Sequence, residues 1–156
     1  MGETDRIARL LEEVIAGSPY YGPSTLAALQ GIDAEMARQK PAWSAHCIWD
    51  LVDHMRAELS YALAVLENRA EPWVAGQTTW PIRADFSEAA WQQSIGDLKR
   101  AKQLLVQAIR RLDDSILDQR PHRVRGPYYR MLHGTLQHAI YHTGQISLLT
   151  GQFKET

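Results

Sequence analysis

One cysteine occurs in 156 residues. Cys47 therefore has no intrachain disulfide partner, a cysteine-only zinc site is excluded, and a reducing, cytoplasmic setting fits best. Neither sign of charge dominates. Seventeen Lys and Arg stand against eighteen Asp and Glu, a net charge of -1, which gives no electrostatic reason to expect nucleic acid or an anionic membrane as a partner. No stretch approaches the roughly eighteen unbroken apolar residues of a membrane span. The N-terminal "MGETDRIARLLEEVIAG" has acidic residues where a secretion signal needs a basic flank, and Arg6 stands where a myristoylation motif needs Ser or Thr, so this stretch is expected to be the first helix of the fold. Repeats, low-complexity tracts and convincing period-two strand patterns are absent as well.

What is present is helical periodicity. The 45% hydrophobic content is enough for one core, so a single domain over 1–156 is expected. Ile7, Leu10, Leu11 and Val14 recur on one helical face, with Thr4 or Asp5 available as N-cap and Gly17 as a stop. "SPYYGPS" then breaks the chain before the short helical pieces "TLAALQGI" and "DAEMARQ". A second long helix is predicted from Ser44 to about Arg69, on the stripe Ile48, Leu51, Val52, Met55, Leu59, Ala62 and Leu66. "EPWVAGQTTWPIRADF" reads as a loop. Ser87 caps a third helix whose buried face runs through Trp91, Ile95, Leu98, Leu105, Ile109, Leu112 and Ile116. After "DQRPHRVRGPYY", a fourth runs from about Tyr128 to Thr150, closed by Gly151. Four long amphipathic helices without strands imply an all-α bundle.

The last helix carries the chemistry. In "HAIYHTGQI", His138 and His142 are four residues apart, about 40° in azimuth and about 6 Å in height, so both imidazoles project from one face. They share a seam with Met131, Thr135, Gln145 and Leu149 and should face the interior. The bland alternative is two buried histidines, each satisfied by a hydrogen bond. A catalytic metal usually takes three protein ligands and keeps an open position. His54, in "WDLVDHM", is the best-placed third donor, at the edge of the apolar stripe of the second helix. His46 and His133 compete from less suitable positions, and His122 reads as a solvated loop residue.

Several neighbours carry double readings. Glu58 and Asp50, one turn either side of His54, are weak candidates to support a ligand or act as a base, or else are surface ion-pair partners. Gln145 is placed to hydrogen-bond a ligand, a substrate or another helix. Tyr141 reads as packing, and Cys47 as a small buried apolar residue rather than a nucleophile. Most tryptophans should be core, with Trp73 and Trp80 lining a site entrance or a dimer contact. The basic "HRVRG" reads as a solvated loop, with attraction of an anionic thiol as the alternative. Three neutral imidazoles suit zinc or nickel, ahead of iron and cobalt.

"AHCIWDLVDHM" together with "LHGTLQHAIYHTGQISLL" resembles the DinB-like family, which includes the damage-inducible DinB proteins of bacilli and related metal-dependent enzymes. The likeness covers most of the chain, including "GPSTLAALQGIDAEMA" and "SEAAW". It implies a four-helix bundle of up-down-down-up arrangement, a divalent metal on His54, His138 and His142, and a homodimer. Many relatives have a richer histidine run before the "GQ"; here Tyr141 removes one extra ligand. The resemblance also implies thiol chemistry, through S-transferases that use low-molecular-weight bacterial thiols and a mycothiol-dependent isomerase. The expected function is thus transfer of a metal-held thiolate to a small-molecule electrophile, with no catalytic residue assigned beyond the metal ligands. Its rivals are a hydrolase using metal-bound water and a non-catalytic metal-binding homodimeric stress protein. Haem ligation by bundle histidines is a third idea.

Overall fold

The computed structural model describes residues 1–70, 79–80, 82–122 and 124–153. The amphipathic stretches become four long helices, α1 (Glu3–Ala16), α4 (Ile48–Leu66), α5 (Glu88–Arg110) and α6 (Tyr128–Gly151), with short α2 (Thr25–Ala28) and α3 (Ala34–Arg38) between the first two. No strand occurs among the described residues. None of their helices is long and apolar enough to cross a membrane. The chain is all-α.

Each long helix buries one stripe. Both α1 and α4 pack against both α5 and α6, while α2 lies on α1 and α6, and α3 on α4 and α5. Ile7, Leu11 and Ile15 of α1, Leu51, Met55 and Leu59 of α4, Leu98 and Leu105 of α5, and Leu132, Ile146 and Leu149 of α6 meet in one core. Full burial of each such side chain stabilises the fold by roughly 1.5–3 kcal/mol. Trp49 and Trp91 join α4 to α5 with ring centroids 5.1 Å apart. Their indole N–H groups are both satisfied, by Ser94 Oγ at 2.8 Å and by the Ile32 carbonyl at 2.7 Å, so the rings are buried without a stranded donor. The hydroxyls of Thr25 and Thr143, 2.6 Å apart, tie α2 to α6.

Helix ends depart from the sequence pattern where a polar side chain competes for the backbone. Residues before α4 do not extend it to Ser44, because Ser44 closes its own turn, its hydroxyl donating to the His46 carbonyl at 2.7 Å. The helix starts instead from Cys47 as N-cap, in a capping box in which Asp50 accepts the Cys47 N–H at 3.1 Å. It stops at Leu66 rather than near Arg69, since Asn68 turns left-handed at φ 54°. Ser87 caps α5 as expected, accepting the Ala90 N–H at 3.2 Å. That helix does not reach Ile116: Asp113 accepts the Ser115 N–H and starts a separate 3-10 turn, Asp114–Ile116, and Leu117 becomes the buried residue.

At α1 the N-cap is Gly2, not Thr4 or Asp5. The Asp114 carboxylate, 110 residues away, takes the Glu3 and Thr4 N–H groups at 2.7 and 3.0 Å. Leu10, expected on the buried stripe, is exposed. Gly151 does not stop α6 but forms its last residue, with Gln152 as C-cap still in right-handed conformation.

Candidate metal centre

Antiparallel packing of α4 on α6 creates the site. Leu51, three residues before His54 on α4, shares a pocket wall with Leu149, seven residues after His142 on α6, so the two helices bring their histidines to the same level. His54 and His142 are each 5% exposed and His138 is half-buried. Three imidazoles thus meet in an apolar setting where none is well hydrated.

All three present Nε2. His54 Nε2 lies 3.1 Å from His138 Nε2, which lies 3.0 Å from His142 Nε2. Two nitrogens bound tetrahedrally to one ion at about 2.0–2.1 Å lie roughly 3.3 Å apart, close to these separations. Among the described residues, these three form the group of His, Cys, Asp or Glu side chains able to hold a metal ion, with ligand atoms all within 4.8 Å of one another.

The other ring nitrogens fix the tautomers. His54 Nδ1 faces the Thr79 carbonyl at 3.2 Å and the Thr79 hydroxyl at 3.0 Å. His142 Nδ1 faces Gln145 Oε1 at 2.6 Å. Carbonyl and carboxamide oxygens only accept, so both Nδ1 atoms carry the proton and both Nε2 atoms turn a lone pair inward. His138 can supply at most one N–H to those two lone pairs while neutral. A cation at the convergence point satisfies all three; the residues fit a metal ion.

The electrostatics favour the neutral form of His138 and His142. Burial lowers the His138 pKa, with the neighbouring His54 adding to the effect. Burial likewise drives His142 down to about 4, reinforced by His138 and His54, against the upward pull of Gln145 and Glu58. Uncharged imidazole is the ligand form.

Thr79 and Trp80 form a strap over His54. Trp80 stacks on the His54 ring at 4.0 Å and 11°, and on His46 from its other face at 3.5 Å and 3°. Arg83 anchors the strap, pairing with Asp53 at 2.5 Å and Asp50 at 3.5 Å while its guanidinium lies 4.5 Å over the Trp49 ring.

These contacts also place the other candidate residues. Asp50 caps α4 and holds Arg83 rather than supporting His54. Glu58 is half-buried and reaches His142 through its charge. His46 stacks on Trp80 rather than joining the three nitrogens, and His133 lies against Tyr129 at 4.3 Å with Nε2 3.7 Å from Glu3. His122 is exposed. Tyr141 is not a packing residue: it is 63% exposed and meets His142 only edge-on at 5.0 Å. Cys47 is buried, which pushes its thiol pKa up, the opposite of what a nucleophile needs.

Trp43 is exposed, against the expectation of a core residue, whereas Trp80 lies at the site. Trp73 falls outside the described residues, as does Arg123 of "HRVRG". Thr79, Arg83 and Asp53 were not evident from the sequence. Asp53 alone left a local signal, a carboxylate inside the apolar run "LVDHM" that needs a buried partner. No family model, curated protein or solved structure matches this chain.

Proposed function

We propose that this chain is a divalent-metal-dependent enzyme that uses His54, His138 and His142 as ligands and transfers a low-molecular-weight thiol to a small electrophile. The observation that carries the metal reading is the convergence of three Nε2 atoms, two with Nδ1 already committed to Thr79 and Gln145. The thiol reading, the up-down-down-up DinB-like four-helix bundle and the homodimer are supported by the motif resemblance, and zinc or nickel by the all-imidazole ligand set. A divalent ion on three neutral imidazoles supplies Lewis acidity, lowering the pKa of a bound thiol or water toward neutrality.

The chain's residues supply the rest. Thr79 and Gln145 keep the Nδ1 protons in place and the lone pairs inward. Trp80 covers one face of His54 and limits water there. His138, the least buried ligand, marks the side from which a small molecule enters. Glu58, half-buried and near enough for its charge to act on His142, would take up the thiol proton; the resulting thiolate would then bond to the electrophilic carbon as the leaving group departs with its electron pair. Hydrolysis by metal-activated water is the alternative the same site supports.

Metal quantification on protein purified without chelator tests the reading first, with about one divalent ion per chain expected. His54→Ala and His142→Ala should lose that ion while retaining helical circular dichroism. A thiol-transfer assay with cysteine, glutathione, bacillithiol and mycothiol against a chlorodinitrobenzene acceptor follows. Protein that retains no divalent ion at all, native or reconstituted, rules the proposal out.

A further inference from the structure

The pocket that Leu51 and Leu149 share lies beside the histidines, with Gln145, the partner of His142, in its wall. It has a volume of about 220 Å³ and is walled by the turn from Trp43 to His46 before α4, which includes the exposed Ala45, by Leu51 of α4, and by Gln145, Leu148 and Leu149 of α6. No Asp, Glu, Lys or Arg lines it. Trp43 and Leu148, 64% and 66% exposed, leave a large apolar rim open to solvent beside an interior free of carboxylate, ammonium and guanidinium groups. An ionic ligand would be desolvated there with no carboxylate, Lys or Arg to meet it.

Size and polarity narrow the ligand further. A dry protein cavity of about 150 Å³ accepts benzene, so this one has room for a single ring with a small substituent. Gln145 gives its Oε1 to His142, and its carboxamide NH2 has no hydrogen-bond partner among the described residues. The His46 ring nitrogens likewise have none, although the ring itself is held flat on Trp80. The polar groups with unmet hydrogen-bonding capacity at this cavity therefore include donors awaiting an acceptor.

We infer that this pocket binds an uncharged aromatic group carrying a hydrogen-bond acceptor such as a carbonyl, ether or nitro oxygen. Trp43 and the leucines hold the ring, and the Gln145 NH2 donates to the acceptor. Two bridges join the pocket to the ligands, Gln145 to His142 and His46 through Trp80 to His54. Occupancy is therefore felt at the metal centre. As the seat of the substrate's ring, the pocket rests on the enzymatic reading above; as a binding site, it stands without it.

The test titrates benzamide, with benzoate as its charged counterpart, into the full chain by calorimetry and protein NMR. Benzamide should bind saturably at one site, with benzoate at least about tenfold weaker, a difference of about 1.4 kcal/mol. Leu148→Glu and Ala45→Trp replace exposed residues at the pocket, so the fold is retained; each should weaken benzamide at least tenfold without changing the circular dichroism. His54→Ala should still bind benzamide, which separates failure of the metal reading from failure of this one. In protein loaded with cobalt(II), benzamide should shift the visible band, and Leu148→Glu should remove the shift. Benzamide and benzoate binding alike, or equal benzamide affinity in Leu148→Glu, Ala45→Trp and the wild type, would overturn the proposal.

Discussion

At the residue scale, the proposed metal site makes the acceptor on His142 a test of affinity. Gln145 Oε1, 2.6 Å from His142 Nδ1, holds the ring in the tautomer that points a lone pair at the other two histidines, and loss of such a partner typically costs 10–100-fold in metal affinity. Gln145→Ala should therefore weaken zinc or nickel by about that factor, measured by competition with a chromophoric chelator, with Gln145→Glu restoring most of it. Equal affinity in Gln145→Ala and the wild type would remove Gln145 from the site. The histidine pair itself was legible because positions 138 and 142 lie on one helix, where spacing alone sets their common direction. His54 was legible for a related reason: its place beside an apolar stripe forces it inward. Thr79 was not, since a loop hydroxyl 25 residues from its partner leaves no periodic signal, and only folding brings it to Nδ1.

At the element scale, the strap residues Thr79 and Trp80 work together with an anchor at Arg83. Arg83 and Asp53 are both nearly buried and are joined as an ion pair, with Asp50 as second partner and Trp49 beneath the guanidinium. Removing one member of such a pair strands the other, at a cost of roughly 3 kcal/mol. Arg83→Ala should lower stability by about that amount and loosen Trp80, seen as a change in tryptophan fluorescence. It should also weaken metal binding through His54, because Thr79 lies on the same strap. The double substitution Arg83→Met with Asp53→Leu should recover much of the stability, since no stranded charge remains. Full metal affinity in Arg83→Ala would show that Thr79 keeps its place without the anchor. The long helices followed directly from their apolar period, as did the stop of α1 at Gly17 and the starts of α5 and α6 at Ser87 and Tyr128, but several other ends did not. Whether Ser44, Asp50 or Asp113 bonds its own backbone or continues a helix is decided by local competition that hydrophobic spacing does not encode.

At the scale of the whole molecule, the start of the chain is joined to the turn after α5 by one carboxylate. Asp114 caps α1 through the Glu3 and Thr4 N–H groups and accepts the Thr4 hydroxyl at 2.8 Å. It thereby pins the first helix to the turn that leads toward α6, and no local pattern in "TDRIARLL" could reveal a cap supplied from 110 residues away. The hydrogen bonds from the Thr4 and then the Glu3 backbone hold the Asp114 pKa below the usual carboxylate value, with the Thr4 hydroxyl adding to the effect. A depressed folded-state pKa means that the unfolded chain binds the proton more readily. Asp114 therefore contributes stability that is fully present above the ordinary carboxylate pKa of about 3.9 and is lost as pH falls through the lower, folded value. Asp114→Ala should lower the Tm at neutral pH by a few degrees and flatten the acid limb of the stability profile below about pH 4. Because α1 also packs on α6, the helix that carries His138 and His142, fraying of its first turn should reach hydrogen exchange at the N-terminal half of α6 before it reaches α4. Thermal unfolding across pH with and without the substitution checks the first expectation, and amide exchange resolved by helix checks the second. An unchanged acid limb in Asp114→Ala would mean that this cap forms without stabilising the fold.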